Sequence, residues 1–298
     1  MNSAKHKSQV KQEQDLGLDE SWDIVIQPRG KFIELDLPVV WRYRDLAWMF
    51  FKRDFTTFYK QTILGPLWYL IQPTLTAITY FVIFGKIANL SSDGLPPFIF
   101  YMSGIVVWTY FAACLTNNAE VFSKNASLFG KVYFPRLVVP ISVVMSGMVA
   151  FAIQFSLLLA VSIGFLLAGS GLRLNLLALP AVPLIVLYVA CLGMGVGLVV
   201  SALTVRFRDL AFATGFVTQL WMFASPVVYP YSQIPEKYRI LSHLNPMTAP
   251  TESLRAVMFG TEGIGVSVWI SNFGITFALL ALGLVLFTRA ESNAMDTV

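Results

Sequence analysis

The sequence predicts an all-α integral membrane protein with six transmembrane helices. Only 13% of its 298 residues are charged and 56% are hydrophobic, whereas roughly 25% of residues are charged in ordinary soluble domains. Half of the charged residues also lie within the first 66 positions, which leaves the rest of the chain mostly apolar. This composition excludes a disordered chain and a nucleic-acid-binding protein, because both need many charges.

Six uncharged stretches follow one another along the chain, and each is long enough to cross a bilayer. About 20 mostly apolar residues are needed, because a helix satisfies its backbone hydrogen bonds internally across about 30 Å of hydrocarbon. Two of the stretches meet at Arg173, where the glycine-rich residues 168–171 predict a tight turn. The predicted spans are residues 61–85, 94–119, 137–168, 174–205, 210–230 and 263–288, within a transmembrane domain of residues 61–289.

Basic residues are distributed unevenly between the predicted connections. Most of them fall in residues 1–60, 120–136, 206–209 and the segment after the last span, all on one side of the membrane. The positive-inside rule places that side, and both termini, in the cytoplasm. We therefore predict cytoplasmic tails at both ends, residues 1–37 and 290–298. The first of these tails lacks the apolar stretch of a signal peptide.

Residues 38–60, before the first predicted span, have an amphipathic pattern. Apolar residues recur there at helical spacing, while basic and polar residues occupy the other directions. This pattern predicts a helix that lies in the cytoplasmic headgroup region. The alternative is that the helix packs against loops of the protein itself. The apolar positions are Val40, Tyr43, Ala47, Phe50, Phe51, Phe55 and Phe58.

The cytoplasmic loop of residues 120–136 mixes apolar and basic residues. Short helices separated at Gly130 and ended before Pro135 would project an apolar edge beyond the membrane, where a partner protein must cover it. A hairpin whose aromatic residues lie among the headgroups is the alternative, and composition does not separate the two. The candidate contact residues are Val121, Phe122, Lys124, Leu128, Phe129, Lys131, Phe134 and Arg136.

The external segment of residues 231–262 and the residues just before it are rich in proline and tyrosine. Asn245-Pro246 predicts a helix N-cap followed by proline at the first helical position, in a helix that ends before Gly260. Irregular backbone at membrane depth is tolerated only beside protein or water, so we predict re-entrant helices that form a gate. An ordinary external loop is the alternative. The candidate gate residues are Tyr229, Tyr231, Tyr238, Asn245 and Pro246.

Several classes of chemistry have no support in the sequence. No Gly-x-x-x-x-Gly-Lys-[Ser/Thr] motif occurs, so we do not expect this chain to hydrolyse ATP. The six stretches lack Asp, Glu, Lys, Arg and His, which argues against ion-coupled transport. His6 and His243 lie at no metal-ligand spacing, and no predicted span contains a histidine for a serine-hydrolase site. We therefore predict no catalytic, cofactor-binding or metal-binding residue in this chain.

Short motifs occur at the start of the first span, after the second and fourth spans, and in the external segment. They are Arg53-Asp54, Tyr59-Lys60-Gln61-Thr62, Leu64-Gly65-Pro66-Leu67-Trp68, Gln72-Pro73, Phe134-Pro135-Arg136, Arg206-Phe207-Arg208-Asp209-Leu210, Ser225-Pro226-Val227-Val228-Tyr229 and Asn245-Pro246. Together these motifs resemble the membrane subunit of polysaccharide-exporting ABC transporters. That type-2 exporter permease class moves O-antigen, capsular polysaccharide or teichoic acid.

The resemblance implies a homodimer of six-span subunits in the bacterial inner membrane, with two separate ATP-binding subunits that hold ATP and Mg. Residues 38–60 would be the interfacial helix, residues 120–136 would supply the coupling helix that contacts the ATPase, and residues 231–262 would form the re-entrant gate. The substrate would be a lipid-linked polysaccharide, in contact also with membrane lipids. Export of lipids or drugs by the same fold, and a non-transporting scaffold or enzyme subunit, are the alternatives.

The first two predicted spans are rich in aromatic residues. Aromatic rings can slide past the apolar faces of sugars, and the hydroxyls of Tyr80 and Tyr110 could exchange hydrogen bonds with them. The alternative is an aromatic belt and bulk that faces lipid. Glycines of the fourth span, Gly193, Gly195 and Gly197, are expected to permit close helix packing. The candidate path aromatics are Trp68, Tyr69, Tyr80, Phe84, Trp108, Tyr110 and Phe111.

Overall fold

Helices form the regular structure of this protein. The computed structural model describes residues 37–60, 64–132, 134–207 and 209–295, and no strand occurs in those ranges, which confirms the all-α class. The predicted tail of residues 1–37 lies almost wholly outside the described part, as do residues 61–63 at the start of the first predicted span.

Twelve α-helices occur in the described ranges. In chain order they are α1 (Leu37–Arg42), α2 (Arg44–Lys60), α3 (Trp68–Tyr80), α4 (Pro97–Ala119), α5 (Val121–Lys124), α6 (Ala126–Phe129), α7 (Val138–Leu167), α8 (Val182–Thr204), α9 (Leu210–Phe223), α10 (Arg239–Leu244), α11 (Thr248–Phe259) and α12 (Val266–Met295). A π-helical stretch, Phe81–Ile87, continues α3, and a 3₁₀ stretch, Leu176–Ala181, precedes α8.

Five helical segments of the described chain are long and apolar enough to cross a membrane. Their bounds lie close to five of the predicted spans, because an uninterrupted apolar stretch of this length has no other way to satisfy its backbone in lipid. The last helix continues beyond the predicted span end, so the predicted tail of residues 290–298 is helical up to Met295. The segments are Trp68–Ile87, Pro97–Ala119, Val138–Leu167, Leu176–Thr204 and Val266–Glu291.

The predicted span of residues 210–230 differs from the structure. Its helix, α9, has 14 residues, which is about 21 Å at 1.5 Å per residue and short of the roughly 30 Å hydrocarbon layer. The helix ends at Phe223 because Pro226 lacks an N–H group and its ring disfavours helical backbone in the residue before it. A sixth complete span is therefore not confirmed.

Helix α4 lies at the centre of the bundle, with α3, α7 and α8 packed against it. Close approach to α8 depends on glycine: a Cβ at Gly193 would lie 2.6 Å from the Cβ of Cys114, and one at Gly197 would lie 2.6 Å from the Cβ of Asn118. Gly195 faces α12 instead, where a Cβ would come within 2.8 Å of Leu280 backbone atoms. The expectation that these glycines permit close packing is confirmed.

The amphipathic segment before the first span forms two helices, α1 and α2, which meet at Tyr43. Helix α2 packs against α7 and buries Ala47 and Phe50. Trp41 of α1 and Trp48 of α2 remain exposed. One face of this pair therefore contacts the protein, and the other offers aromatic residues to the surroundings, which is suited to the headgroup region. The side chain of Phe58 lies outside the described part of the structure.

Candidate translocation path and outer gate

A groove of about 350 Å³ lies between α3, α4 and α7. Its lining brings together four of the seven predicted path aromatics, Trp68, Tyr69, Trp108 and Tyr110. The other three lie elsewhere. Tyr80 and Phe84 pack edge to face with ring centroids 5.5 Å apart, and Phe111 packs in the same way against Trp221 with centroids 5.0 Å apart.

The groove also contains polar side chains that were not predicted. The hydroxyl of Thr109 donates to Oε1 of Gln154 over 2.6 Å, and Gln154 is only 6% exposed. Gln72 lines the same groove from α3 and is exposed. Gln154 is the only amide side chain in residues 137–168, and a lone amide in an apolar span was a signal that could have identified it, since burying one is costly without a partner. Aromatic rings beside amides suit a ligand with both apolar faces and hydroxyls.

At one end of the bundle, most apolar residues of the 120–136 loop face inward. Phe122 stacks on Phe287 with centroids 4.6 Å apart, and Phe134 lies 5.7 Å from Phe50. Val121 is buried in the same cluster, and Leu128 and Phe129 are partly buried against it. The loop contains the short helices α5 and α6, which meet at Asn125. The predicted projecting apolar edge is therefore absent from the described part of the loop, because α2, α8 and α12 cover these side chains.

Arg136 is also withdrawn from the surface. Its guanidinium lies 5.2 Å from the centre of the Phe129 ring and donates to the backbone carbonyl of Glu291 over 3.4 Å. The candidate contact residues that remain exposed are Lys124 and Lys131, with Val132 beside them. Any partner that docks on this loop meets Lys131, an ion pair in which Lys124 lies 2.7 Å from Glu120, and limited apolar area.

At the opposite end of the bundle, a cavity of about 630 Å³ lies between α9 and the external segment. Three candidate gate residues line it, Tyr229, Tyr238 and Asn245. Tyr231 and Pro246 do not. The backbone N–H of Tyr231 donates to Glu252, and the carbonyl of Pro246 accepts a hydrogen bond from the Tyr188 hydroxyl at 2.9 Å.

Asn245 joins the external segment to the end of α9 with four side-chain hydrogen bonds. Its Oδ1 accepts from Trp221 Nε1 at 3.0 Å and from the backbone N–H of Met247 at 3.1 Å. Its Nδ2 donates to the carbonyl of Ala224 and to the hydroxyl of Ser225, both at 3.0 Å. Asn245 thus closes a turn before α11.

Helix α11 begins at Thr248, two residues later than the Asn-Pro pattern predicts, because residues 246 and 247 belong to this turn. The C-terminal end of α11 agrees with the predicted helix end before Gly260. The helix stops at Phe259, and Gly260 adopts the left-handed conformation with φ of 69° that glycine tolerates at such a position.

Asn272 of α12 fixes the same segment from the other side. Its amide nitrogen donates to the carbonyls of Ser242 and His243, and its amide oxygen accepts from the N–H of Ala249 at 3.0 Å. Asn272 is fully buried, so these hydrogen bonds form away from water. The external segment is therefore held in place by side chains of the bundle.

A buried ion pair lies within α11 and was not identified from the sequence. Arg255 and Glu252 are 1% and 2% exposed, and Nη1 of Arg255 lies 2.9 Å from Oε1 of Glu252. Burial raises the pKa of Glu252 and lowers the pKa of Arg255, while the attraction between the two charges opposes both shifts. The sequence signal was an acid and a base three residues apart, which is about one helical turn.

The long apolar helices of the bundle define a multi-pass membrane protein. Comparison with known families then assigns it more narrowly: the chain belongs to the ABC-2 type transporter family, whose sequence model matches residues 45–259.

Three relatives illustrate the range of similarity. The O-antigen export system permease protein RfbA of Klebsiella pneumoniae is 30% identical over 249 residues, which cover 83% of this chain and 92% of that protein. The protein of the same name from Myxococcus xanthus is 28% identical over 222 residues, 74% of this chain and 82% of its own length. The polysialic acid transport protein KpsM of Escherichia coli is 24% identical over 251 residues, 83% of this chain and 93% of that protein.

Proposed function

We propose that this chain is the permease subunit of an ATP-driven exporter that moves a lipid-linked polysaccharide outward across the bacterial inner membrane. The observation that carries the proposal is the similarity over most of the chain to permeases named for O-antigen export, supported by the relative named for polysialic acid transport. Membership of the ABC-2 type transporter family agrees with it.

The groove between α3, α4 and α7 supports a sugar polymer as the substrate. Trp68 and Trp108 offer flat apolar faces, and Gln72 and Gln154 offer amides that can bond to hydroxyls. A lining of this kind permits many weak, exchangeable contacts. A moving polymer depends on such contacts rather than on a single tight binding site. None of the described residues that line the groove is charged, so the groove does not favour an ion as the transported species.

Energy for export must come from a second protein. ABC-2 permeases are membrane subunits that work with ATP-binding subunits, and this sequence contains no P-loop. We propose that two such subunits, with their ATP and Mg, dock on the exposed surface formed by Lys124, Lys131 and Val132. The aromatic cluster beneath that surface connects it to α2 and α12. A displacement of the loop by the ATP-binding subunit would therefore be transmitted to these packed helices.

A homodimer and a sixth membrane crossing complete the proposal. Helix α9 exposes apolar residues, with Phe212 88% and Phe216 65% exposed, and α3 is largely uncovered by its own chain. A second copy and lipid would cover these faces. We propose that α9 and residues 224–230 together make the sixth crossing, with α10 and α11 as re-entrant gate helices and both termini in the cytoplasm.

A deletion strain tests the proposed function. Without this chain, the polymer should accumulate on its lipid carrier inside the cell and vanish from the surface, and a plasmid copy should restore it. Normal surface polymer in the deletion strain would contradict the proposal. Altered drug sensitivity or lipid distribution with unchanged polymer would instead indicate an exporter of drugs or lipids.

A further inference from the structure

Arg255 is the largest fully buried side chain in the described part of the protein, yet it lines neither the groove nor the outer cavity. Removing a guanidinium from water is strongly unfavourable unless its charge and all of its N–H groups find partners. The contacts of Arg255 compensate for this unfavourable burial.

All five N–H groups of Arg255 are matched by hydrogen-bond acceptors. Toward α4, Nε donates to the hydroxyl of Ser103 at 3.3 Å and Nη2 to the carbonyl of Phe100 at 3.2 Å. Toward the chain after α9, Nη1 donates to the carbonyl of Pro226 at 2.7 Å and Nη2 to that of Val227 at 3.0 Å. The fifth bond goes to Glu252 in α11 itself. One side chain thus joins three separate elements.

Two further contacts strengthen this junction. Oε1 of Glu252 also accepts from the backbone N–H of Tyr231 at 3.2 Å, which adds a third point of attachment for residues 226–231. The guanidinium lies 3.7 Å from the centre of the Phe100 ring, a close cation–π contact. Gly104 provides the space for it, because a Cβ there would come within 2.7 Å of Nη2 of Arg255.

We propose that Arg255 is a positioning residue of the outer gate, which holds the outer end of α4, residues 226–231 and α11 together as one rigid body throughout export. This proposal rests on the proposed export function. Separation of these elements would break the four hydrogen bonds from Arg255 to α4 and to residues 226–227 and leave its guanidinium paired only with Glu252 in a buried site, which is too costly to occur in every transport cycle. The external segment therefore moves together with α4 and does not hinge away from it.

A reversible cross-link tests the rigid body without touching Arg255. The hydroxyl of Ser232 in the external segment donates to Oδ1 of Asp93 in the loop before α4 at 2.7 Å, and this contact is exposed. We would combine Asp93→Cys and Ser232→Cys in a chain whose native cysteines, Cys114 and Cys191, are replaced by alanine. A short bifunctional thiol reagent would then join the pair, and each single-cysteine variant would serve as the control.

The protein with both cysteines unmodified must first restore surface polymer to the deletion strain. Failure of the native chain itself to restore surface polymer would contradict the proposed function, and the labelling experiment below tests the rigid body without any measurement of export. Once export is established, we expect the fully cross-linked protein to export within about twofold of the unmodified one, since a rigid body loses no motion on cross-linking. Export that stops on cross-linking and returns on cleavage would overturn the proposal.

A second experiment addresses Arg255 directly. Val228, which is 4% exposed, is replaced by cysteine, and its reaction with a membrane-impermeant thiol reagent is followed from outside. We expect Arg255→Lys to raise the labelling rate at least about tenfold, because an ammonium replaces at most three of five hydrogen bonds and each bond to a charged group is worth a factor of about ten or more.

The matched control is Arg239→Lys, an exposed arginine of the same external segment, which should leave labelling unchanged. Export per molecule should fall in Arg255→Lys and not in the control. Parental labelling and parental export in Arg255→Lys would overturn the proposal. If that variant does not accumulate in the membrane, the cross-link in the Arg255 protein decides the question.

Discussion

Replacement of Asn245 tests whether the external segment is held to α9 by specific hydrogen bonds. Asn245→Ala removes all four side-chain bonds to Trp221, Ala224, Ser225 and Met247. Asn245→Asp has almost the same shape and keeps both bonds accepted by Oδ1. It turns the donating nitrogen into an oxygen that faces the Ala224 carbonyl. The pair of variants therefore separates loss of shape from loss of donors.

The expected magnitudes follow from these contacts. Each intramolecular hydrogen bond contributes about 0.5–1.5 kcal/mol net, and some of these groups can bond to water once the side chain is gone, so Asn245→Ala should cost about 2–4 kcal/mol. Asn245→Asp should cost about 1–3 kcal/mol, because two donated bonds are lost and two oxygens are brought together. For a chain of this size, a cost of 2–4 kcal/mol lowers the unfolding midpoint by roughly 3–6 °C.

Thermal unfolding of the purified protein in mild detergent measures both variants. Asn89→Asp, at an exposed asparagine of another external loop, is the matched control and should unfold with the parent. Export by the two Asn245 variants should fall further than their abundance in the membrane. An Asn245→Ala protein that unfolds within about 1 °C of the parent would refute the reasoning, since the loss of only two bonds predicts more.

Three other substitutions test separate parts of the structure. Gly197→Ala should destabilise the protein by about 1–3 kcal/mol in the same unfolding assay, because the added methyl overlaps α4, whereas Gly164→Ala, with open space around it, should be neutral or slightly stabilising. Lys131→Glu combined with Val132→Asp should abolish copurification of the ATP-binding subunit while membrane insertion stays normal, because both side chains are exposed. Gln154→Leu should lower export at least about fivefold if the amide bonds to the moving polymer, since a lost hydrogen bond with an unpaired partner costs about 1–3 kcal/mol.

Each of these three predictions can be contradicted by a specific result. Equal unfolding midpoints for the two glycine variants would show that α4 and α8 do not pack as described. Lys237→Glu, at the opposite end of the bundle, is the control for the docking variant. Copurification that is unaffected by both changes would exclude the loop surface as the docking site. For the groove, Ser156→Leu, at an exposed site of α7, is the matched control. Normal export by the Gln154 variant would exclude a role of that amide in the path.

The positions of the membrane helices could be predicted from the sequence because apolarity over 20 or more residues leaves the backbone few alternatives. The length of the helix within residues 210–230 could not be predicted in the same way, because two local rules compete there. Residues 210–230 are uncharged throughout, which predicts a span. Pro226 nevertheless ends the helix at Phe223, and mean hydropathy does not include the effect of a proline on helix length. The same limit applies to Asn245-Pro246, where a turn precedes the helix.

The inward packing of the 120–136 loop could not be derived from its own composition. Phe122 and Phe134 look like exposed aromatics in isolation, and their partners Phe287 and Phe50 lie in distant parts of the chain. The contacts of Arg255 were even less predictable from the sequence. Its carbonyl partners, at Phe100, Pro226 and Val227, are backbone groups that carry no sequence signal, so only its spacing from Glu252 was visible in advance.

Transport by the purified complex is the most direct test of the account. The chain would be expressed with the ATP-binding subunit that copurifies with it and reconstituted into vesicles loaded with the lipid-linked polymer that accumulates in the deletion strain. The account predicts that ATP moves the polymer across the vesicle membrane and that a catalytically inactive ATPase does not. Vesicles in which ATP is hydrolysed and the polymer stays in place, while a lipid or drug is moved, would contradict the assignment of this chain to polysaccharide export.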